Sequence, residues 1–525
     1  MDSPDIITEI KKVFADFSAL SVSQNYTDEI NIKVSPRIFR DTCFTLHKIL
    51  SSPVMMLFAC DQRRDAAKFA VNCVFVSSRL SKWVIVSIDI PQDCPSFESL
   101  AKSIYSASLF ERQIYEMFGI KPEGNPDLRR LNLHDEVWPQ GNYPMRKDFQ
   151  KIQGGNTSEY RFSRVEGDGI FEVPVGPVHA GIIGPGHFRF SVAGEPVINL
   201  EARLGWAHRG VEKLFEGKPY NDAVRISECV SGDSAFAHSL AFTQAAEKIS
   251  GVSVPARAIY LRAVFLEFER IYNHINGIGG IAIDAAFSFP AAFASVIKES
   301  VLRLNELLTA SRYLKNVNVV GGVLTDLDES KKKEILGFIR KIRKDFVELK
   351  KILNSSVSFM DRVDSTGVLK RKTAGDLGVT GLAARASGIP IDLRKYFSGV
   401  YNQAGFKIAV EESGDVLARL RIRFSEFEES CRLIEEFTGK LAKKDEAAAA
   451  PELKEGSALG YAEGWRGPVI YWLKTGHSGL IERCKIVDPS FLNWQGLCYA
   501  VLGNIIPDFP LCNKSFDLSY SGNDL

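Results

Sequence analysis

One apolar pattern in the middle of the chain constrains the fold most strongly. Val264, Phe268, Ile271 and Ile275 repeat at i, i+4, i+7 and i+11, and this spacing places them on one face of an α-helix. They lie in a stretch with a mainly helical pattern, residues 221–353. We therefore expect a buried helix in a helical bundle.

The N-terminal part of the chain has a different pattern. Residues 69–77 and 83–90 are rich in β-branched and aromatic residues and are separated by a polar turn, which is typical of paired antiparallel strands. Residues 1–20 and 96–118 have helical spacing instead. The pattern predicts an α/β domain over residues 1–150.

A change in composition marks the predicted domain boundary. Residues 151–168 are rich in glycine, serine and charge, as is typical of a linker. We therefore predict a first domain at 1–150, a linker at 151–172 and a second domain at 173–525. Near the start of the second domain, residues 188–200 alternate around a Gly-Glu turn and predict a β-hairpin.

Charge and cysteine spacing exclude several classes of function. The 525 residues carry 65 Lys and Arg against 64 Asp and Glu, a net charge of +1, so no overall field favours nucleic acid or an anionic membrane. The nine cysteines form no C-x-x-C pair, which argues against zinc or iron–sulfur ligation by this chain. No apolar run approaches the roughly 20 residues that span a bilayer. We expect a peripheral protein without a transmembrane segment.

Three linked blocks in the first domain carry a family resemblance. They read ERQIYEMFGI at 111–120, GNPDLRR at 124–130 and YPMRKDF at 143–149. Their order and register resemble the 30-kilodalton, or C, subunit of respiratory complex I. The resemblance implies a docking surface for neighbouring subunits, whereas the alternative is a solvated charged loop with local ion pairs.

The second domain carries its own set of matching motifs. VPVGPVHAGIIGPGHFRF at 173–190, LGWAHRGVEKLF at 204–215 and LAARASG at 382–388 resemble the large subunit shared by group 4 nickel–iron hydrogenases and the complex I 49-kilodalton, or D, subunit. Together the two parts resemble a fused large subunit of the formate-hydrogenlyase type. The resemblance implies an α+β fold: an N-terminal α/β domain of the C-subunit type, then a mainly helical hydrogenase-large-subunit-like domain with a small β-hairpin region.

The resemblance fails at the metal ligands. Where the hydrogenases carry two C-x-x-C pairs, this chain has Ser231 and Ser234 in one segment and Ser519 and Gly522 in the other. Nickel–iron chemistry needs soft sulfur donors, a serine hydroxyl is a hard donor, and glycine has no side chain. We therefore expect no nickel–iron centre and no cofactor bound by this chain.

The resemblance implies that the two segments converge on a vacated cavity. The predicted lining residues are Ser231, Ser234, Ser519, Tyr520 and Arg385. The predicted catalytic residues are His179, His187, Asp233 and His238, and no metal ligand is predicted. A histidine can donate a proton to a quinone-like carbonyl near neutral pH. The alternatives are that His238 is an ordinary core residue and that Ser231 to Ser234 form a helix N-cap.

Other family residues do not carry over. The tyrosine that holds the quinone in complex I aligns with Gly232, and the acid of group 4 hydrogenases aligns with Gly184. Both replacements remove a functional side chain. Glu267, Glu269 and Arg270, beside the apolar stripe, could form a buried proton path or ordinary surface pairs, and surface pairing is the default prediction.

The resemblance implies an electron-transfer subunit in the peripheral arm of a membrane-bound, ion-translocating oxidoreductase. The chain would pass electrons from a partner's iron–sulfur cluster to a quinone-like acceptor and would be inactive alone. The implied partners are a small iron–sulfur subunit like the complex I B subunit, a ferredoxin-like subunit, and membrane subunits of the H-subunit and antiporter type. The implied location is the cytoplasmic face of a prokaryotic inner (plasma) membrane. The alternatives are a non-catalytic coupling scaffold and a true group 4 hydrogenase.

Overall fold

The structure, a computed structural model, describes residues 21–179, 183–397, 399–441, 452 and 454–525. The helix predicted over residues 1–20 lies outside the described residues. The chain divides into two compact units, Met1–Phe162 with Asp376–Gly378, and Ser163–Gly375 with Val379–Leu525. Both helices and strands are abundant, as the α+β expectation requires.

The described part of the chain contains fifteen strands. They are β1 Ser21–Tyr26, β2 Glu29–Lys33, β3 Met56–Gln62, β4 Lys68–Ser77, β5 Lys82–Pro91, β6 Ser96–Glu98, β7 Lys121–Glu123, β8 Ile170–Val175, β9 His187–Ala193, β10 Val197–Arg203, β11 Asn318–Val319, β12 Gly322–Val323, β13 Gly456–Glu463, β14 Pro468–Thr475 and β15 Ile481–Val487.

It also contains eighteen α-helices. They are α1 Phe39–Leu50, α2 Arg63–Ala66, α3 Ser108–Phe118, α4 Val211–Leu214, α5 Tyr220–Ser227, α6 Ala235–Ser250, α7 Ala256–Asp284, α8 Ser288–Thr309, α9 Glu329–Ser355, α10 Val357–Val363, α11 Arg371–Leu377, α12 Gly381–Ala386, α13 Leu393–Tyr396, α14 Gly399–Gln403, α15 Val416–Gly439, α16 Ser490–Ala500, α17 Phe509–Phe516 and α18 Tyr520–Asn523. None of the helices in the described ranges is both long and apolar enough to cross a bilayer.

The first unit is built on a five-stranded sheet with the order β1-β2-β5-β4-β3. Strands β4 and β5 pair antiparallel over their whole length, which confirms the prediction for this pair. Nearly every residue of β4 is buried, because its β-branched and aromatic side chains suit a covered pleated surface.

The predicted helix over 96–118 forms only in its second half, as α3. The reason is the buried carboxylate of Glu111, which accepts hydrogen bonds from the Ser99 hydroxyl at 2.6 Å and the Leu100 amide at 2.6 Å. These bonds fold the preceding segment back onto the helix. Glu116 holds residues 131–133 in the same way, through their backbone amides. Glu111 and Glu116 therefore hold the loops of this unit in place through hydrogen bonds. The docking role of the motifs stays a prediction.

In the second unit, the apolar stripe lies where the sequence predicts. Helix α7 packs between α8 and α15, and the four stripe residues Val264, Phe268, Ile271 and Ile275 are all fully buried. The predicted hairpin is β9 with β10, joined antiparallel, and β8 extends it to three strands. A second antiparallel sheet, β13-β14-β15, packs on α6. Its β13–β14 turn, residues 463–468, reaches the candidate site.

Candidate functional site

The two segments that lack thiolates meet in the structure. The Ser231 and Ser519 hydroxyls lie 2.9 Å apart. Ser519 is the N-cap of α18, and its hydroxyl accepts the Gly522 amide at 2.9 Å. The positions are therefore joined by their own hydrogen bonds. We call Ser231, Asp233, Ser234, Ser519 and Arg466 the serine site.

A bidentate ion pair lies beside the serines. Arg466 donates from both terminal nitrogens to Asp233, at 2.8 and 2.6 Å, and the Ser231 hydroxyl donates to the same carboxylate at 2.9 Å. Burial opposes ionisation of Asp233, but Arg466 and the serines outweigh it and lower the pKa to about 2. Asp233 is therefore ionised at neutral pH and can accept hydrogen bonds there but cannot donate a proton.

One side of the serine site stays open. The Asp233 side chain keeps 39% of its surface accessible, while the three serines are buried. Gly232 is exposed, and a Cβ placed there would meet no atom within 4 Å. A ligand can therefore approach the site over the Gly232 backbone.

The alternative in which Ser231 to Ser234 cap a helix through their side-chain oxygens does not hold. Helix α6 begins at Ala235, and its N-cap Ser234 makes no side-chain cap bond. The buried Glu269 carboxylate instead accepts the first amides, from Phe236 at 2.7 Å and Ala237 at 3.0 Å. The Ser234 hydroxyl is used differently and accepts the indole N–H of Trp465 at 3.1 Å.

The Asp488 carboxyl group occupies the space that a side chain at position 522 would need. A Cβ at Gly522 would lie 2.6 Å from the Asp488 carboxyl carbon, closer than real contacts allow. Asp488 in turn contacts Nε2 of the fully buried His238 at 3.2 Å, and His238 Nδ1 lies 3.0 Å from the Tyr471 hydroxyl. Burial would raise the pKa of Asp488, but His238 and Arg466 hold it below its usual range.

The Tyr520 ring lies beside Gly184, the position that the resemblance aligns with the acid of group 4 hydrogenases. A Cβ at Gly184 would lie 2.6 Å from a Tyr520 ring carbon, and one at Gly186 would lie 2.8 Å from another. The ring also packs on Trp494, with centroids 4.9 Å apart. Burial raises the pKa of Tyr520 to about 12, so its hydroxyl stays neutral. An acidic side chain at position 184 does not fit beside this ring.

The two loop histidines contact the backbone of their own loop. His179 Nε2 lies 2.8 Å from the Gly186 carbonyl oxygen, and His187 Nδ1 lies 3.2 Å from that of Gly176. Burial, with nearby Arg189 and Arg203, lowers the pKa of His187, which keeps the ring neutral at pH 7. Their predicted catalytic roles stay predictions.

Arg385 does not line an open site, which corrects the prediction for it. Its side chain has no exposed surface because its guanidinium is enclosed by Glu426 at 2.8 Å and Glu463 at 2.9 Å. It belongs to a buried cluster, which we call the ionic network: Glu267, Arg270, His274, Arg385, Asp392, Arg394, Glu426 and Glu463. Glu267, Glu269 and Arg270 are likewise fully buried, so their predicted surface pairing is wrong.

Sequence reasoning missed Arg466, Trp465 and Asp488, although each contacts a predicted position. The only sequence signal for Trp465 and Arg466 is the Glu-Gly-Trp-Arg-Gly run at 463–467, where two glycines flank an aromatic residue and a cation. Among the described residues, no three His, Cys, Asp or Glu side chains are grouped to hold a metal ion.

Both halves of the chain match known sequence families. Residues 32–154 match the family described as respiratory-chain NADH dehydrogenase, 30 Kd subunit. Residues 284–455 match the family described as respiratory-chain NADH dehydrogenase, 49 Kd subunit. A solved structure, the membrane-bound sulfane sulfur reductase, an archaeal respiratory membrane complex, has a chain with the same fold. Its TM-score is 0.63 at 24% identity, covering 68% of this chain and 98% of that one.

Relatives match over almost the whole length. Formate hydrogenlyase subunit 5 of Escherichia coli is 30% identical over 95% of this chain and 89% of its own. Hydrogenase-4 component G of the same organism is 30% identical over 97% and 90%. The fused C/D-type subunit of the NADH-quinone oxidoreductase of Bacteroides thetaiotaomicron is 28% identical over 73% and 76%. This chain therefore belongs to the family of fused complex I 30-kilodalton and 49-kilodalton-type subunits that includes the formate hydrogenlyase and hydrogenase-4 large subunits.

Proposed function

We propose that this protein is an electron-transfer subunit of a membrane-bound oxidoreductase related to complex I and group 4 hydrogenases, with a non-metal acceptor in place of nickel–iron. The observation that carries the proposal is the serine site. The four positions that align with thiolates carry three serines and a glycine, and Ser231, Ser519 and Gly522 are hydrogen-bonded to one another.

The residues present do not fit a nickel–iron centre. Hydroxyl groups that stay protonated near neutral pH are poor donors for low-valent metal. Position 522 supplies no donor, and the adjacent Asp488 carboxyl fills the space that a thiolate there would need. These two features support a site for an organic acceptor or another small oxidant.

The serine site supplies two things to such an acceptor. Its exposed Gly232 backbone and accessible Asp233 edge provide a place to bind. The Arg466 guanidinium supplies positive charge beside the site, which stabilises negative charge that develops on a reduced acceptor. In this proposal the electrons come from an iron–sulfur cluster of a small partner subunit. The protein lies at the cytoplasmic face of the membrane, where changes at the serine site are coupled to antiporter-like membrane subunits.

The test uses the purified native complex, with nickel analysis and reduction of a soluble quinone analogue on one sample. We expect no stoichiometric nickel and measurable quinone reduction. Stoichiometric nickel with hydrogen-dependent dye reduction would establish a hydrogenase and overturn the proposal. Neither nickel nor quinone reduction would favour a coupling scaffold.

A pair of glycine variants localises the acceptor. Gly232→Leu places a bulky side chain on the open face, so we expect quinone reduction to fall at least about tenfold, which corresponds to about 1.4 kcal/mol in binding. The matched control is Gly337→Leu, at an exposed helical glycine that also has no neighbour within 4 Å. Equal activity of the two variants would place the acceptor elsewhere.

A further inference from the structure

The ionic network behind the serine site has an excess of negative charge. It contains four carboxylates and three guanidiniums, with His274 as the remaining titratable group. Its salt-bridge side chains are at most 4% exposed. A buried charge without compensation is costly, and a carboxylate in that position is neutralised by binding a proton.

Glu463 is the least compensated of the four acids. Glu426, Glu267 and Asp392 each contact two arginines. In the described part of the chain Glu463 pairs with Arg385 alone, at 2.9 Å, and accepts the Leu393 amide at 3.1 Å. Burial and the neighbouring Asp392 raise the pKa of Glu463 to about 7. Burial lowers the pKa of His274 to about 4, so the extra proton belongs on the carboxylate.

A pocket lies directly beside this acid. The pocket has a volume of about 600 Å³, and Glu463 forms part of its lining together with Tyr401 and Tyr461. Two sets of charged and titratable groups surround Glu463: the pocket-lining Glu247, Lys248, Arg262, Arg394, Tyr401 and Tyr461, and the network members Arg270, Arg385 and Asp392, whose charges act on it directly. The remaining network members lie one partner further away, since Glu267 pairs with Arg270, Glu426 pairs with Arg385, and His274 contacts Glu426.

The β13–β14 turn links Glu463 to the serine site over four residues. Arg270 holds the turn by donating to the carbonyl oxygen of Gly464 at 2.7 Å. Trp465 then donates to Ser234, and Arg466 pairs with Asp233. One end of the turn thus belongs to the ionic network and the other end to the serine site.

We propose that Glu463 is a proton-storage site, which takes up one proton from the water of the adjacent pocket and whose proton affinity follows the charge at the serine site. Uptake forms an O–H bond on the carboxylate and removes one negative charge from the ionic network. An electron that arrives at the acceptor adds a negative charge near Arg466 and favours that uptake. The coupling to electron arrival rests on the proposed function, but proton binding by Glu463 does not.

The test is an infrared pH titration of the purified complex through pH 7. We expect a carboxylic-acid C=O band that disappears with a midpoint near pH 7 and is missing in Glu463→Gln. The band should remain in Glu269→Gln and in Asp524→Asn, which remove two other buried acids whose pKa is raised, to about 8 and about 6. If Glu463→Gln does not fold, Glu463→Asp retains a carboxyl and should move the band. A band unchanged in both Glu463 variants would overturn the proposal.

A charge variant tests the link to the serine site. Asp233→Asn removes a negative charge near the turn, so we expect the midpoint of the Glu463 band to move to lower pH. Glu329→Gln removes an exposed charge at the start of α9 and should leave the midpoint unchanged. An unmoved midpoint in Asp233→Asn would overturn the coupling. A failed quinone assay with an intact Glu463 band would contradict only the proposed function.

Discussion

The serine site and the ionic network lie side by side but differ in how their acidic side chains are compensated and exposed to water. In the serine site the one acid has one bidentate arginine and an accessible edge, so its charge is compensated and partly hydrated. In the ionic network four acids share three arginines, and these side chains are at most 4% exposed. An open site can keep a fixed charge next to a ligand, whereas an enclosed cluster with unequal charges must exchange protons. The predictions below test this contrast.

The largest effect should come from removing an arginine of the ionic network. Arg385→Met leaves Glu426 and Glu463 buried without that partner, which we expect to cost about 3–5 kcal/mol in the free energy of unfolding. Denaturant titration measures it. The control Arg432→Met breaks exposed contacts with Glu429 and Glu436 and should cost at most about 1 kcal/mol. Equal costs would show that burial does not set the energy of these pairs.

Removing the acid of the serine site should cost less. Asp233→Asn keeps the shape but loses the charge opposite Arg466, and we expect about 1.5–3 kcal/mol. Because the folded pKa of Asp233 is lowered to about 2, its contribution is present above the unfolded value of about 4 and is lost as pH falls toward 2. The stability difference between wild type and Asp233→Asn should therefore shrink over that window. A constant difference would rule out ionisation as its cause.

Two glycines of the serine-site segments should respond unequally to one added methyl group. Gly522→Ala pushes a Cβ against Asp488, and we expect a loss of about 1–3 kcal/mol. Gly232→Ala meets open space and should change the free energy of unfolding by less than about 0.5 kcal/mol. Thermal unfolding of both variants measures the difference. Similar values would mean that Asp488 moves aside freely.

The smallest effect should come from the contact between the two segments. In a double-mutant cycle of Ser231→Ala and Ser519→Ala, we expect a coupling energy of about 0.5–1.5 kcal/mol for the hydroxyl pair. Denaturant midpoints of the four proteins give it. Additive losses would show that the 2.9 Å approach contributes no net stability.

The helices and strands could be predicted from the sequence where the periodicity of apolar residues is strong. Helix α7 and strands β4, β5, β9 and β10 lie where apolar spacing placed them, because burial of one face dominates their local preference. The predicted helix does not extend before residue 108, because the Glu111 side chain accepts hydrogen bonds from Ser99 and Leu100, which are 12 and 11 residues earlier in the chain but close in space. No periodicity encodes such a bond.

The candidate site was predicted only in part, for a similar reason. The meeting of Ser231 with Ser519 followed from the resemblance. The partners Arg466, Trp465 and Asp488 come from the β13–β14 turn and the segment after β15, and nothing in their own neighbourhood points to residue 231. Glu269 was misplaced because a charged residue is surface-exposed by default, and only tertiary pairing keeps it inside. Arg385 was misplaced because the resemblance assigned it to the cavity lining, and its pairing with Glu426 and Glu463 is not visible in the sequence.

The packing around Gly184 and Gly522 has a consequence for substitution at both positions. Tyr520 lies where an acid at position 184 would have to be, and Asp488 lies where a thiolate at position 522 would have to be. Each hydrogenase-type side chain would clash until the facing residue moved or changed, so a single substitution at either position has a cost in stability. A hydrogenase-type side chain at either glycine would therefore need a compensating change at Tyr520 or Asp488.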